Sequence, residues 1–249
     1  MFYMDVGLIA GSHQMQMLEA WQSTVANNLA NASTPGFQKS LFAISADGAE
    51  ELDAPAAEKV DSTALTLPAG HRSNSFVDGS IRVTGNPHDF AIRHGGFFAV
   101  TTPTGETLYT KDGEFQVNAE GVLVNKAGYT VDVEGGELSV DLQLGPITVT
   151  RDGSVNQQGQ SLGRISAYRF DEPENLVRRS GSYFVDRGAA GSSLMEDPIV
   201  LQGHLMGSSI SAMAEMVSMI QISRAYEMSQ KIIQESDERL DRAIQTFSV

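Results

Sequence analysis

The sequence predicts an α+β protein, with paired N- and C-terminal long α-helices in a coiled-coil-like arrangement and a central antiparallel β domain. Apolar residues recur in steps of three and four at both ends of the chain, which is the spacing of a helical face. Between the ends, glycines recur every seven to ten residues from Gly105 to Gly153 and separate short segments of alternating apolar residues. Such spacing is typical of antiparallel hairpins, so a β domain is expected between the two helices.

Changes in composition divide the 249 residues into four segments. The first and the last are predicted to form one helical core domain. The second is predicted to be an extended arm or linker with an acidic, alanine-rich stretch at 47–61, and the third a β-rich outer domain. The boundaries are 1–40 for the N-terminal helix and its closing turn, 41–75 for the arm, 76–205 for the β-rich domain and 206–249 for the C-terminal helix.

The N-terminal helix is predicted from one long apolar stripe and a shorter one. The long stripe comprises Leu8, Gly11, Met15, Leu18, Gln22, Val25, Leu29 and Ala32, and the short one comprises Ile9, His13, Met17 and Trp21. Apolar groups on more than one face predict that this helix is covered from two sides. Asn31 can take the left-handed conformation that closes a helix, and the turn residues at 33–36, Ser-Thr-Pro-Gly, cannot continue one.

The C-terminal helix, predicted from Ser208 to Phe247, has the strongest pattern in the chain. Its steps of three and four form a heptad seam with three polar interruptions. The seam comprises Ala212, Met216, Met219, Ser223, Tyr226, Gln230, Ile233, Asp237, Leu240, Ile244 and Phe247. Because this helix is longer than the first, part of the seam is expected to stay uncovered within one subunit, and uncovered apolar surface usually marks a partner surface. A self-contained helical hairpin beside a β domain is the alternative.

Sequence motifs that carry chemistry are weak in this chain. Residues 159–163, Gly-Gln-Ser-Leu-Gly, match the pattern of a nucleophile elbow, but the segment after them alternates like a strand, so a hairpin turn is predicted. The five histidines show no short metal-ligand spacing, and cysteine is absent. The sequence therefore predicts no catalytic, cofactor-binding or metal-binding residue and no cofactor. An enzyme with its site in the β domain is the alternative that this leaves open.

Charge and hydropathy limit the kinds of partner. The formal net charge of −14 argues against nucleic acid, because neutralising phosphates requires clustered lysine and arginine. No run of about 18 apolar residues occurs, so membrane insertion is not expected. The partners are therefore predicted to be proteins.

Three segments resemble the flagellar basal-body rod and hook family. They are 25–37 (VANNLANASTPGF), 95–100 (GGFFAV) and 109–115 (YTKDGEF), and the likeness continues in the last helix from Leu205. The resemblance implies an axial protein that leaves through the flagellar type III export channel and assembles into a tubular rod, with the terminal helices around the channel and the β domain outside. Pro35 and the short chain look more like the proximal rod type than the distal type, which more often has asparagine at that position.

The seam and the resemblance together predict subunit contacts in place of an active site. The predicted contact residues are Asn27, Asn28, Leu29, Asn31, Thr34, Pro35, Gly36, Phe37, Met216, Met219, Tyr226, Ile233, Leu240, Ile244 and Phe247. The resemblance implies as partners further copies of the chain and other rod proteins in a helical tubular assembly, together with the export apparatus. It implies the basal-body rod, which spans the periplasm, as the location. A distal rod subunit and a secreted surface-binding module with a helical stalk are the alternatives.

Overall fold

The chain divides into two units, each built from segments that are distant in the sequence. The structure is a computed structural model, and it describes residues 2–51, 66–134, 136 and 138–247. The helical unit comprises Met1–Leu29, Ser40–Ser73 and Ser211–Val249, and the β unit comprises Ala30–Lys39 and Asn74–Ile210. The segment that links the first helix to the arm therefore belongs to the β unit.

Helix α1 (Phe2–Ala30) and helix α2 (Ala212–Phe247) form the ends of the chain. Their small buried core contains Leu18, Val25 and Ile222, and partly buried residues pack around it. Those partly buried residues are Trp21, Met219, Ala225 and Tyr226. Neither described helix contains an apolar stretch long enough to cross a membrane.

The predicted coiled-coil-like pairing of two long helices is wrong, although the α+β class is confirmed. Among the described side chains of α2, the buried ones are Glu215, Ile222 and Ser229, which recur every seven residues and include two polar groups. The predicted seam is offset from them by one residue, and its members Met216 and Gln230 are exposed. A coiled coil buries an apolar seam along its whole length. Among the described side chains of the two helices, the apolar core is one short cluster, and the buried positions on either side of Ile222 are polar.

The region predicted as an arm contains two strands of the helical unit. Strand β1 (Ser40–Glu51) and strand β2 (Thr66–Asn74) pair in a two-stranded sheet. A Cβ atom added to Gly70 would lie 2.7 Å from Sδ of Met17, so the missing side chain allows β2 to lie against α1. Residues 52–65, and with them most of the acidic stretch, lie outside the described residues. The predicted segment boundaries stay predictions.

The β unit consists of short strands joined by turns. Its described strands are β3 (Ile81–Val83), β4 (Phe90–Ile92), β5 (Phe97–Thr101), β6 (Thr107–Thr110), β7 (Phe115–Val117), β8 (Leu123–Asn125), β9 (Thr130–Val131), β10 (Val133–Glu134), β11 (Thr148–Val149), β12 (Ser154–Gln157), β13 (Gln160–Ile165), β14 (Ala167–Phe170), β15 (Val177–Ser180), β16 (Tyr183–Val185), β17 (Ser192–Leu194), β18 (Val200–Gln202) and β19 (His204–Met206). A 3₁₀ turn at Pro173–Asn175 precedes β15.

These strands form one large sheet and three smaller ones among the described residues. The large sheet has the order β15-β16-β6-β5-β9-β8-β7, with β14 pairing to β5 and β17 to β14. A four-stranded sheet has the order β10-β13-β12-β11, and β18 pairs with β4 and β19 with β3. Each of these pairings is antiparallel, which confirms the predicted antiparallel β domain.

Strand β5 separates two hydrophobic cores because successive side chains point to opposite faces of a sheet. Phe98 and Val100 lie in the main core with residues of β4, β6 and the smaller sheets. Phe97 lies in a second core with Phe170, Leu176 and Phe184. Both faces of the strand are therefore covered.

A hairpin is present as predicted, but its turn is at Gln158 and Gly159, and most of residues 159–163 lie in strand β13. Gln157 pairs with Gln160 at the end of the β12–β13 hairpin, and the two residues between them, Gln158 and Gly159, have φ angles of 47° and 85°. Two successive positive φ angles are typical of a tight hairpin turn. Ser161 therefore lies in a strand of the hairpin, where a nucleophile elbow cannot form.

Candidate assembly surfaces

A buried polar cluster joins three parts of the helical unit. The side-chain nitrogen of Asn28 donates hydrogen bonds to the backbone oxygen of Ser40 at 2.8 Å and to Oε2 of Glu215 at 3.2 Å. Its side-chain oxygen accepts a hydrogen bond from the backbone N–H of Ser40 at 3.0 Å. Asn28 and Glu215 are both buried. This one side chain therefore ties α1 to the start of β1 and to the first turn of α2.

Asn28→Ala is expected to destabilise the helical unit by about 2–4 kcal/mol, because it leaves buried polar groups of Ser40 and Glu215 with fewer partners. The single tryptophan of the chain, Trp21, packs on the core of this unit, so its fluorescence during urea unfolding reports on that unit. The control is Ser23→Ala at an exposed position of α1, expected to change stability by less than about 0.5 kcal/mol. Equal urea midpoints for Asn28→Ala and Ser23→Ala would contradict a stabilising role of the buried polar cluster.

The outer stripe of α2 is a set of exposed apolar side chains away from the helical core. Its six members are 51–77% exposed: Met213, Met216, Val217, Ile220, Met228 and Ile232. At about 100° per residue, Met213, Val217 and Ile220 lie opposite the buried Ile222, Met216 and Met228 flank them, and Ile232 lies about 80° from Ile222. The exposed Arg224, Glu227 and Lys231 share the face opposite Ile222 beyond Ile220. At 1.5 Å per residue, the continuous part of the outer stripe from Met213 to Ile220 extends about 11 Å along the helix, and Met228 and Ile232 extend it, beyond Arg224 and Glu227, to about 29 Å. An apolar surface of this kind marks an interaction site.

The predicted contact residues of α2 lie mostly at the border between its buried and exposed faces. Met219 and Tyr226 are half-buried against the core cluster, and Met216 is exposed and belongs to the outer stripe. Ile233 is half-buried close to Gly11, where an added Cβ would lie 3.2 Å from Cγ1 of the isoleucine. The other three predicted positions lie on the helix, but their side chains fall outside the described part of the chain; they are Leu240, Ile244 and Phe247.

The segment after α1 is fixed to the β unit by backbone hydrogen bonds. The Gly36 N–H donates to the oxygen of Met206 at 2.8 Å, and the Ser209 N–H donates to the oxygen of Phe37 at 3.0 Å. Gly36 has a φ angle of 66°, and a Cβ atom there would lie only 2.2 Å from the backbone nitrogen of Asp112. Only glycine permits both this conformation and this close approach.

Arg178 also holds this segment, through contacts with Phe37 and Gln38. Its guanidinium group lies 4.7 Å from the ring centres of both Phe37 and Phe184, so it is stacked between two aromatic rings. Its Nη2 donates to the backbone oxygen of Gln38 at 2.6 Å, and its Nε donates to Oδ1 of Asn74 at 3.2 Å. Burial lowers the pKa of Arg178 to about 10, which still leaves it charged at neutral pH. One side chain thus fixes both chain segments that enter the β unit from the helical unit.

The predicted contact residues of the N-terminal region divide into buried and accessible ones. Asn28, Gly36 and Phe37 are buried inside their own unit. Asn27 is exposed, and the rest are half-buried: Leu29, Asn31, Thr34 and Pro35. The hydroxyl of Thr34 donates to Oδ1 of Asn31 at 3.2 Å, which closes the turn after the helix. The accessible residues are the ones that can reach a neighbouring molecule in this conformation.

Asp112 is a half-buried acid beside Gly36 in the β unit. Burial raises its pKa from 3.8 to about 6, and the nearby carboxylates of Glu114 and Asp89 act in the same direction. A raised carboxyl pKa means that the folded protein retains a proton that the unfolded chain releases between pH 4 and 6. The stabilisation of the folded state by this proton is therefore fully present below the pKa that Asp112 has in the unfolded chain. It is lost as the pH rises through the folded-state pKa of about 6.

Asp112→Asn is expected to stabilise the β unit at pH 8 by about 1–2 kcal/mol and to have little effect at pH 4, since one pKa unit corresponds to about 1.4 kcal/mol. Near-UV circular dichroism during urea unfolding at both pH values measures the difference. The matched control is Asp152→Asn, because the pKa of this exposed acid is lowered by hydrogen bonds from Ser154 and Thr150. The control is not expected to stabilise the protein at pH 8. An equal gain from both variants would contradict the role of burial at Asp112.

Sequence reasoning missed Arg178, Glu215 and the outer stripe. Nothing near Arg178 in the sequence indicates that its partners are at positions 37, 38 and 74. Glu215 looks like an ordinary exposed acid of a first helical turn until its contact with Asn28 is seen. The outer stripe does have helical spacing in the sequence, but it competes there with the seam, and periodicity alone does not decide which face is buried.

Within the described residues, no group of three or more histidine, aspartate or glutamate side chains is arranged to hold a metal ion. Two acids in the described residues form ion pairs with lysines, Glu114 with Lys126 and Asp78 with Lys111.

Known proteins resemble the chain over most of its length. Family models match residues 15–38 (flagella basal body rod protein), 91–157 (flagellar hook protein FlgE/F/G D1 domain) and 201–246 (flagellar basal body rod FlgEFG protein C-terminal). The flagellar basal-body rod protein FlgF of Caulobacter vibrioides is 33% identical over 97% of this chain and 98% of its own. FlgF of Mesorhizobium japonicum is 34% identical over 96% of both chains, and FlgG of Buchnera aphidicola from Acyrthosiphon pisum is 31% identical over 89% of this chain and 92% of its own.

The fold and these relatives define a structural subunit of a flagellar axial assembly, and not an enzyme. The chain belongs to the flagellar basal-body rod and hook protein family. It is a rod subunit, and its place is the flagellar basal body.

Proposed function

We propose that the chain is a proximal rod subunit of the FlgF type, which polymerises through its terminal helices into the torque-transmitting shaft. The observation that carries the proposal is the outer stripe of α2, six apolar side chains that are more than half exposed. On a subunit that stayed alone in water this surface would be costly, and docking it on a neighbour removes the cost.

The occupant of the outer stripe is helix α1 of another rod subunit. In the described part of α1, the exposed face contains mostly small or uncharged side chains at helical spacing, which are Ser12, Gln16, Ser23, Ala26 and Ala30, with the acid Glu19 among them. They extend about 27 Å along the helix, close to the length of the outer stripe. Small side chains permit close approach of two helices, and long methionine and isoleucine side chains can fill the space between them.

The β unit contributes a rigid mount for the segment that follows α1. Gly36 and Phe37 are held by Met206, Ser209 and Arg178 of that unit. A torsional load applied to α1 would therefore be passed to a folded β structure through several hydrogen bonds. The partners of the chain are other basal-body rod proteins, and its route to them is the flagellar export apparatus.

A distal rod subunit is the second candidate, favoured by the 31% identity to FlgG of Buchnera aphidicola. Copy number separates the two candidates, because a proximal subunit forms a short segment of the shaft and a distal subunit forms several helical turns.

The test is quantitative mass spectrometry of purified basal bodies from the source cell, with an isotope-labelled chain as standard. A handful of copies per particle, fewer than one helical turn, supports the proximal position. Copies sufficient for several turns would assign the chain to the distal rod. Absence from particles that contain the other rod proteins would overturn the proposal.

A further inference from the structure

Half of the outer stripe consists of methionine. Met213, Met216 and Met228 are 77%, 51% and 64% exposed. Another methionine, Met206, is almost completely buried in the β unit at 1% exposure. The most exposed methionines of α2 are thus on the surface that the proposed function uses for docking.

Oxidation changes the chemistry of that surface. A thioether sulfur attacks one oxygen of hydrogen peroxide, the O–O bond breaks, and the sulfur becomes a sulfoxide while the peroxide is reduced to water. The sulfur loses two electrons, and no further reactant is needed. The product is a polar, chiral group where an apolar side chain stood, so it disrupts a methionine-rich interface.

We propose that Met213, Met216 and Met228 form an oxidation-sensitive site whose conversion to sulfoxides by peroxide blocks incorporation of the subunit. The expected block of incorporation rests on the proposed function. The expected selectivity for these three methionines rests on their exposure alone. In an assembled rod the same side chains are covered, so the sensitive form is the chain before assembly.

The first experiment measures selectivity on the purified full-length chain. Hydrogen peroxide is added, and peptide mass spectrometry follows sulfoxide formation with time. Oxidation at the three exposed methionines is expected to be at least about tenfold faster than at Met206, because reactivity follows exposure. Comparable rates at Met206 in the folded chain would overturn the proposal.

The second experiment measures the block in cells. A strain without its own copy expresses either the wild-type chain or Met213→Leu/Met216→Leu/Met228→Leu, with and without sublethal hydrogen peroxide. Leucine keeps the size and apolar character of methionine but cannot form a sulfoxide. Under peroxide, the wild-type chain is expected to fall about tenfold in copies per basal body, while the triple variant stays at its untreated level.

The outcomes separate this proposal from the proposed function. An equal fall of both chains, or no fall of either, would overturn the oxidation-sensitive site. A triple variant that folds but is not incorporated without peroxide would also count against it, because an apolar surface without sulfur would then be insufficient. If neither untreated chain is found in basal bodies, the proposed function fails, and the rates on the purified chain still test the selectivity.

Discussion

Ile220→Asp is expected to abolish incorporation of the chain into the basal body while leaving its fold intact. Ile220 lies at the centre of the outer stripe and is 54% exposed, so the substitution removes nothing from the core of the helical unit. In the proposed contact with α1 of a neighbour, the new carboxylate would be buried without a partner, which costs about 3–5 kcal/mol. We expect at least about a hundredfold fewer copies per basal body, the equivalent of about 3 kcal/mol, and loss of motility.

The measurement has an internal check on folding. Urea unfolding followed by Trp21 fluorescence is expected to give nearly the wild-type midpoint for Ile220→Asp. The matched control is Gln116→Asp, which adds the same charge at an exposed position of β7 in the β unit. The control is expected to be incorporated normally. Normal motility and copy number of Ile220→Asp would rule out the outer stripe as an assembly surface.

Gly36→Ala is expected to destabilise the β unit by more than about 4 kcal/mol, among the largest effects of a single substitution. Two causes add. The residue has a positive φ angle, which costs an alanine about 1–2 kcal/mol. A Cβ atom would also lie 2.2 Å from the nitrogen of Asp112 and 2.3 Å from the carbonyl carbon of Lys111, both of them backbone atoms. To relieve this clash the segment must move, which breaks the 2.8 Å hydrogen bond to Met206.

Gly85→Ala separates the two causes. Gly85 has a φ angle of 75°, but nothing lies within 4 Å of an added Cβ, so only the conformational cost applies. The free energy of unfolding of this control variant is expected to fall by about 1 kcal/mol. Hydrogen exchange read by mass spectrometry measures the stability of each unit separately in both variants. Similar losses of stability for Gly36→Ala and Gly85→Ala would show that the close contact with residues 111 and 112 does not contribute to the destabilisation.

The parts of the fold that depend on local sequence were predictable. Glycine spacing indicated the hairpins, and a hairpin was expected around 159–163, where the turn lies at Gln158 and Gly159. The register of α2 was not predictable in the same way. Its buried face contains Glu215 and Ser229, which a sequence pattern assigns to solvent, because burial of polar groups depends on partners elsewhere in the chain.

The predicted contact residues show the same difference between what the local sequence indicates and what contacts between distant residues decide. Asn28 and Phe37 stand out in a distinctive segment, but in the structure each serves the inside of its own unit, through Ser40 and Arg178. Of the outer stripe, the sequence pattern singled out only Met216, which was predicted as a seam residue. The exposure of the outer stripe became apparent only when Ile222 was found on the opposite face.

The sequence by itself determined the helical ends, the antiparallel β domain, the absence of cysteine chemistry and the resemblance to flagellar rod proteins. These depend on composition, on short-range periodicity and on turn residues, all of which act between near neighbours in the chain. The tertiary structure decided which face of α2 is covered, where Gly36 and Phe37 dock, and which methionines face solvent. Each of those depends on contacts between residues far apart in sequence, such as Asn28 with Glu215 and Phe37 with Arg178, which no local pattern encodes.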